Sequence, residues 1–390
     1  MRIYLDHNAA APLKPAVREA CAELAEFAGN PASIHHSGQR ARRLLEQARE
    51  RIAALIEADP RRVIFTSGGT ESNNLAIFGT AIGASARRRI VSSTVEHSSI
   101  IEPLAALQER GFEIVRLPVD SDGHIDTEAA RAALDSATAL VTLGLANSES
   151  GTIQNLAPLA AAIRSCGALF HIDAAQALGR IPVSVAALGC DLITLSGHKL
   201  GAPAGIGGLY VRDPARLAPL ILGGPQEYGV RAGTPNLSGA VGFGVAADTI
   251  RNSLDVESAR SAALAERLLA HLLDAVPGLT LNGPRGGRLP NTLNLTFPAV
   301  AGESLLLALD LEGVEVSMGS ACAAGSVEPS HVLLAMGRDE AAARSSLRIS
   351  LGWSTTVAEI DQAAEIIPRV WRRVSAAEPL RPSFAEGASR

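Results

Sequence analysis

The chain has 390 residues, 35 Lys and Arg against 40 Asp and Glu, a formal net charge of −5, and 47% hydrophobic but only 3% aromatic residues. That length fits one large domain with a smaller one, or two of similar size, and the apolar content excludes a disordered chain. The acidic balance, the scarcity of stacking aromatics and the lack of a long basic run exclude a nucleic-acid surface, and no run of 18 apolar residues offers a membrane span.

The first residues, Met1-Arg2-Ile3-Tyr4-Leu5-Asp6, contain no apolar h-region, so no signal peptide is expected and the cytoplasm is the expected location. The four cysteines, at 21, 166, 190 and 322, form no CxxC pair. Neither a zinc knuckle nor a disulfide framework is expected, and no metal. Residues 1–16 read as short and irregular, with Pro12 and Pro15 as breakers. Asp6-His7-Asn8-Ala9-Ala10-Ala11 is polar and small, unlike a core element. A helix is expected over 17–28 and a turn at Gly29-Asn30-Pro31-Ala32-Ser33. His35-His36 reads as ordinary polar loop, because a metal signature needs further spaced ligands.

Residues 38–58 read as an amphipathic helix, with Leu44, Leu45, Ala48, Ile52, Leu55 and Ile56 at three- and four-residue spacing. A short strand at 63–65 then enters Thr66-Ser67-Gly68-Gly69-Thr70-Glu71-Ser72-Asn73-Asn74, which opens the next helix. Strand, Gly-Gly-Thr, helix suits an anion: the glycines admit the backbone and the helix N-terminal N–H groups meet the charge. Strands are expected at 89–93, 112–117 and 139–145, with Glu96-His97-Ser98-Ser99 opening a helix after the first and Ala146-Asn147-Ser148-Glu149 following the last. A helix is expected over 156–166.

Two further apolar strands carry the strongest signals. One ends in His171-Ile172-Asp173-Ala174-Ala175-Gln176. The other runs into Ser196-Gly197-His198-Lys199, followed by a glycine-rich loop and a second strand at 209–211. A lone lysine in such a loop is more often a surface residue. At the end of a buried strand, however, burial lowers its pKa and leaves an amine able to attack a carbonyl. Asp173 lies 26 residues upstream. An Asp with such a Lys is the pair that pyridoxal phosphate needs, one for the pyridine nitrogen and one for the aldehyde. Near-continuous apolar strands separated by helices imply a mainly parallel sheet covered on both faces, whose ligands bind at the carboxyl ends of the strands. Thr70, His97, Asn147, Asp173, Gln176 and Lys199 all fall at such ends.

Residues 223–234 read as a glycine-punctuated loop. A long helical segment follows, broken near Asn252-Ser253. A domain boundary is placed near 255. Beyond it come a helix over 258–275, a half-exposed strand at 291–297, a helix over 302–312 and a small-residue loop at 317–326 that contains Cys322. A strand at 348–351, a closing helix over 356–373 and a frayed tail from 376 complete the chain. The expected organisation is an N-terminal segment (1–16) packing with the small domain, a large domain (17–255), a small domain (256–375) and a flexible tail (376–390).

Together these stretches resemble the cysteine desulfurases of the NifS/IscS type, within the class V, fold type I pyridoxal phosphate enzymes. The resemblance covers nearly the whole chain and includes Tyr4-Leu5-Asp6-His7-Asn8, Thr66 to Asn74, Glu96-His97-Ser98, Arg231-Ala232-Gly233-Thr234, Gly319-Ser320-Ala321-Cys322 and Glu328-Pro329-Ser330-His331. It is closer to the NifS branch. It implies an α/β fold: a large domain with a mainly parallel seven-stranded sheet covered by helices, and a smaller α+β domain with the Cys loop.

The resemblance also implies roles. Lys199 binds the cofactor aldehyde and moves protons, Asp173 pairs with the pyridine nitrogen, and Gln176 bonds the ring hydroxyl. His97 stacks on the ring and takes the substrate thiol proton. Gly69, Thr70, Ser196 and His198 hold the phosphate. Thr234 reaches the phosphate of a neighbouring subunit, which implies a homodimer. Arg348, helped by Asn30, grips the carboxylate of L-cysteine, and Cys322 accepts the sulfur. The expected reaction gives L-alanine and a Cys322 persulfide, which feeds a sulfur acceptor or an iron–sulfur scaffold protein.

Cys21, Cys166 and Cys190 read as structural. Three departures stand out: Ser148 holds the place of a usual Asn that contacts the cofactor, Met318 replaces a usual Ser beside the Cys loop, and the tail differs from the scaffold-docking tail of the housekeeping branch. The alternatives are an aminotransferase or a selenocysteine lyase of the same class, and a non-catalytic sulfur relay. A transaminase would release an α-keto acid and would not need Cys322.

Overall fold

The computed structural model describes residues 2–84, 86–318 and 328–377. Its strands, in chain order, are β1 (Ile3–Tyr4), β2 (Val63–Thr66), β3 (Arg89–Ser93), β4 (Glu113–Leu117), β5 (Thr138–Gly144), β6 (Leu169–Asp173), β7 (Leu192–Ser196), β8 (Gly207–Val211), β9 (Thr280–Leu281), β10 (Thr292–Thr296), β11 (Val314–Glu315) and β12 (Ser346–Ser350). Seven of them form one sheet in the order β2-β8-β7-β6-β5-β3-β4.

Successive side chains on these strands enter different cores, as a period of two requires. Val63, Phe65, Val91, Val141, Phe170 and Ile193 pack on one face with Ile52 and Phe243 from helices His36–Leu55 and Leu237–Arg251. Ile64, Ile90, Leu140, Leu169 and Leu192 pack on the other with Leu75 and Ile100 from helices Gly69–Gly83 and Ser98–Glu109. Both faces are therefore dry, which is why the strands read as continuous apolar runs.

One strand breaks the parallel order. β8 runs antiparallel to both β7 and β2, so the two reversals bring the carboxyl end of β2 to the same edge as that of β7. Gly207 is the hinge of that arrangement, paired with Thr66 on one side and Ser196 on the other. A Cβ there would come within 2.6 Å of Gly68 Cα, so the close approach requires glycine.

The second core belongs to a three-stranded antiparallel sheet, β12-β10-β9. Leu293, Leu295, Leu347 and Ile349 meet Leu264, Leu268, Ile360 and Ile367 from helices Leu254–Ala275 and Val357–Ala377. The expected half-exposed strand at 291–297 is buried on both faces over its length to Leu295. Its polar member Asn294 is fully buried, with Oδ1 accepting from Asn282 Nδ2 at 2.9 Å.

The N-terminal segment packs against the second core, with Ile3 and Leu5 in it and β1 paired in parallel with β11, whereas the burial of His7 and Asn8 departs from the expected irregular polar stretch. Alternation in the segment is too short to show this. Helix ends shift as well: 17–28 is observed as Pro15–Glu23, and 356–373 extends as Val357–Ala377. The helical segment after 234 does break at 252–253. Among the described residues no helix is long and apolar enough to cross a membrane.

Candidate active site

The carboxyl ends of β2, β3, β5, β6 and β7 deliver the expected polar residues to one edge of the sheet. Lys199 sits in the 3-10 turn Gly197–Leu200 directly after β7. Its Nζ donates to the carbonyls of Asn8 at 2.5 Å and Ala9 at 2.9 Å. Burial, helped by the Arg180 and Arg348 charges, lowers its pKa to about 8 against the weaker pull of Asp6 and Asp173. A free amine is thus available near neutrality.

Asp173 ends β6. Its carboxylate accepts from Asn73 Nδ2 at 2.7 Å and from the Ala175 N–H at 2.9 Å. Asn73, one turn into the helix that Gly69 opens, also donates to Ser99 Oγ at 2.8 Å. It therefore links the helix start, the aspartate and the loop bearing His97.

His97 caps helix Ser98–Glu109, with Nδ1 accepting from the Ser99 N–H at 3.0 Å. A neutral ring then carries its proton on Nε2. Burial lowers the His97 pKa, opposed by the Asp173 charge and reinforced by Lys199 and His331. In this geometry Nδ1 is engaged by the helix cap, and Nε2 is the ring nitrogen left to face a ligand. Beside it, Glu96 is buried, accepting from Ser93 Oγ at 2.5 Å and Gly144 N at 2.9 Å. Burial pushes its pKa up to about 8.

Helix Gly69–Gly83 opens at Gly68 with no side-chain cap. A Cβ on Gly69 would lie 3.6 Å from Ser196 Cβ, so the helix start faces the end of β7. Ser196 Oγ is 3.1 Å from His198 Nδ1. Burial, then Lys199 and Arg180, lower the His198 pKa to about 4. An uncapped helix start, a serine hydroxyl and a neutral imidazole fit a phosphate group. Thr70 is exposed on the same turn.

Gln176 is buried, with Nε2 donating to the Asn8 carbonyl at 3.0 Å and Oε1 left without a partner. An orphaned buried acceptor beside a reactive amine suits a ring hydroxyl. These groups thus fit an aldehyde-bearing, phosphorylated pyridine. Among the described residues no group of three or more His, Cys, Asp or Glu is placed to hold a metal ion.

Asn147 and Ser148 divide their work clearly. The Asn147 side chain donates to the Val95 carbonyl and accepts from the N–H groups of Glu149 and Ser150, so it is committed to the loop. Ser148 offers its carbonyl to Asn8 Nδ2 at 3.0 Å and to Arg348 at 3.4 Å.

Arg348, on β12, is buried and ion-paired with Asp6 at 2.7 Å, while its Nε has no partner. Asn30 is not joined to it by any hydrogen bond: its side chain accepts from the Ala32 N–H in an exposed turn. Thr234 is also exposed, on a loop tied down elsewhere. Glu227 in that loop accepts from Arg49 at 2.7 Å and from the Phe65 N–H at 2.8 Å, and Arg231 pairs with Glu71 at 2.9 Å.

Cys322 lies outside the described residues. Met318, four residues before it, is buried in the second core. Cys190 is buried, and Cys21 and Cys166 are partly so.

Asn8, Asn73, Asp6 and Arg180 were given no role by sequence reasoning. Asn73 had a signal, one helical turn from the Gly-Gly-Thr anion motif. The other three lie in segments whose neighbours are set by tertiary contacts alone.

Comparison with known proteins agrees with this geometry. A model of the class V aminotransferases matches residues 3–363. The chain is 43% identical over 384 residues to the cysteine desulfurase IscS of Dictyoglomus turgidum, covering 98% of each chain. A solved structure described as a NifS-like protein superposes with a TM-score of 0.90 at 33% identity, covering 96% of this chain and 100% of the other. One described as SspA in complex with cysteine gives a TM-score of 0.81 at 33% identity, covering 90% and 99%.

Proposed function

The chain belongs to the class V aminotransferase family, among its cysteine desulfurases, and on that premise we propose that it takes sulfur from L-cysteine onto Cys322 with bound pyridoxal phosphate and releases L-alanine. The observation that carries this reading is the placement of the Lys199 amine, at a pKa of about 8, on the same sheet edge as Asp173 and the uncapped helix start at Gly69.

Lys199 and Asp173 would hold the aldehyde and the ring nitrogen, Gln176 the ring hydroxyl, and Gly69, Thr70, Ser196 and His198 the phosphate. His97 lies at the ring, and Ser148 lines the site through its backbone. When bound, the cofactor supplies an electron sink for the substrate Cα–H bond. The Lys199 amine takes and returns that proton. Arg348 exchanges its bond to Asp6 for the substrate carboxylate and so fixes which face of the amino acid meets Lys199. Asn30, whose side chain accepts from the Ala32 N–H before substrate binds, would assist this grip.

Sulfur transfer needs a second nucleophile. The Cys322 thiolate attacks the substrate sulfur, the new S–S bond forms as the Cβ–S bond breaks, and the electron pair passes to the substrate carbon frame. Protons added at Cβ and Cα complete alanine, and Cys322 keeps a persulfide. This attack has the demands of thiol–disulfide exchange: a thiolate and access.

The same reading makes the protein a cytoplasmic homodimer in which loop 223–234, held by Arg49–Glu227 and Arg231–Glu71, offers Thr234 to the partner's phosphate site. The persulfide passes to a sulfur acceptor, such as an iron–sulfur scaffold. The division into an N-terminal segment to 16, a large unit to 255 and a small unit to 375 is part of this reading, and the existence of two separate cores supports it.

Product analysis tests the proposal. Anaerobic incubation with L-cysteine yields alanine and no pyruvate. 3-Mercaptopyruvate in place of alanine, unaffected by Cys322→Ala, would assign an aminotransferase instead, and pyruvate with free sulfide would assign a β-elimination.

A further inference from the structure

A second cavity lies against the N-terminal segment, between helix Leu254–Ala275 and the turn at Gly352-Trp353. About 70 Å³ is open to the centres of water molecules, room for roughly five of them. Of the residues proposed above for catalysis and cofactor binding, Lys199 alone reaches its wall. Asp173, His97, Gln176 and Ser196 do not. The segment itself divides the two spaces. Asn8 turns its carbonyl to Lys199 and Gln176, whereas His7, Ala11 and Lys14 line the cavity.

The wall carries two buried cations, Lys14 and Arg180, that make no ion pair among the described residues. Lys14 is 8% exposed and has no hydrogen-bond acceptor among the described residues. Its ammonium lies over the Trp353 ring, 5.4 Å from the centroid. Arg180 is also 8% exposed and bonds only carbonyls, Gln176 at 2.8 Å and His7 at 3.4 Å. The one carboxylate in the wall, Glu257, is taken by Arg260 at 2.9 Å. His7 Nδ1 is buried without a partner. Two buried cations lacking an anion are costly, and the cavity beside them is large enough to hold one. Ile250, Leu254 and Leu351 supply an apolar wall, and Ser258 and Ser261 supply hydroxyls.

We propose that this cavity binds a short aliphatic monocarboxylate, with its oxygens on Lys14 and its alkyl end against Ile250, Leu254 and Leu351. Lys14 then gains the acceptor it lacks, and His7, neutral because burial and Arg180 lower its pKa to about 4, can donate from Nδ1. The site stands independently of the desulfurase reading, because its test uses no turnover.

The test is a titration of the holoenzyme with propionate at constant ionic strength, followed by ligand-observed NMR, with propanamide as the neutral control. Saturable propionate binding is expected, at least tenfold tighter than propanamide. Arg348→Gln, which removes the other carboxylate-binding cation, should retain it within twofold. Lys14→Met should weaken it at least tenfold, and Ser261→Leu, which fills the cavity, should abolish it. Binding no tighter than propanamide, binding kept in Lys14→Met, or binding lost in Arg348→Gln would each overturn the proposal. Should Lys14→Met fail to fold, Ser261→Leu decides alone.

Discussion

Lys199 Nζ donates to the backbone carbonyl of Asn8 at 2.5 Å, across 191 residues of chain. The same carbonyl accepts from Gln176, and the Asn8 side chain donates to the Ser148 carbonyl and to Thr292 on β10. The catalytic amine is therefore held by a segment whose other end, β1, pairs inside the small domain. The large sheet and the segment leading to the second core meet at the lysine.

The depressed pKa of Lys199 makes the stability of the cofactor-free chain depend on pH. Below pH 8 both folded and unfolded chains hold the proton, and the folded chain bears the full cost of a buried ammonium. Between about 8 and the ordinary 10.5 the unfolded chain binds more protons, so stability rises with pH; above that range the cost is gone. Lys199→Met is expected to stabilise the cofactor-free chain by up to about 3 kcal/mol at pH 7. That gain should shrink as pH passes through 8 towards 10.5. Chemical denaturation of both chains at pH 7 and pH 10 checks this; an equal difference at both would contradict it.

Arg348→Ala removes one side of a buried ion pair and the proposed carboxylate grip. The expected loss in kcat/KM for L-cysteine is about 30- to 5,000-fold, from the roughly 2–5 kcal/mol that such truncations cost. Arg348→Lys should recover only part of it, because the planar fork is lost. Steady-state kinetics with the cofactor's visible spectrum as a control reads both. An unchanged KM and kcat would remove Arg348 from the site.

Gly207→Ala tests the cradle rather than the chemistry. The added methyl would fall 2.6 Å from Gly68 Cα and 2.8 Å from the Leu195 carbonyl, both backbone. Overpacking of this kind costs about 1–3 kcal/mol, and here the displaced loop is the one proposed to hold the phosphate. A lowered denaturation midpoint together with weaker cofactor retention is expected. A stable variant with normal retention would show that the loop does not hold the phosphate.

Much of the site was legible because its signals are local. Asp173 and Lys199 each end an apolar strand, and Gly69 opens a helix after one; a covered parallel sheet brings such ends together. The reversal at β8 was not legible, since a buried antiparallel strand reads like a buried parallel one. Nor was the burial of β10, where Asn294 imitates the exposed face of an alternating strand while its Oδ1 accepts from Asn282 across the sheet. Asp6, Asn8 and Arg180 gain their roles only from partners more than 100 residues away or from the cavity they line. The His97 tautomer is set by a single N–H two residues on, which spacing alone does not reveal.

The central claim is that Lys199 and Cys322 act in sequence on one substrate. Anaerobic incubation with L-cysteine, followed by peptide mapping of Cys322, tests it most directly. The account predicts one added sulfur atom on Cys322 in step with alanine release, and neither in Cys322→Ala despite normal cofactor binding. Alanine and sulfide released by Cys322→Ala at the wild-type rate would contradict it.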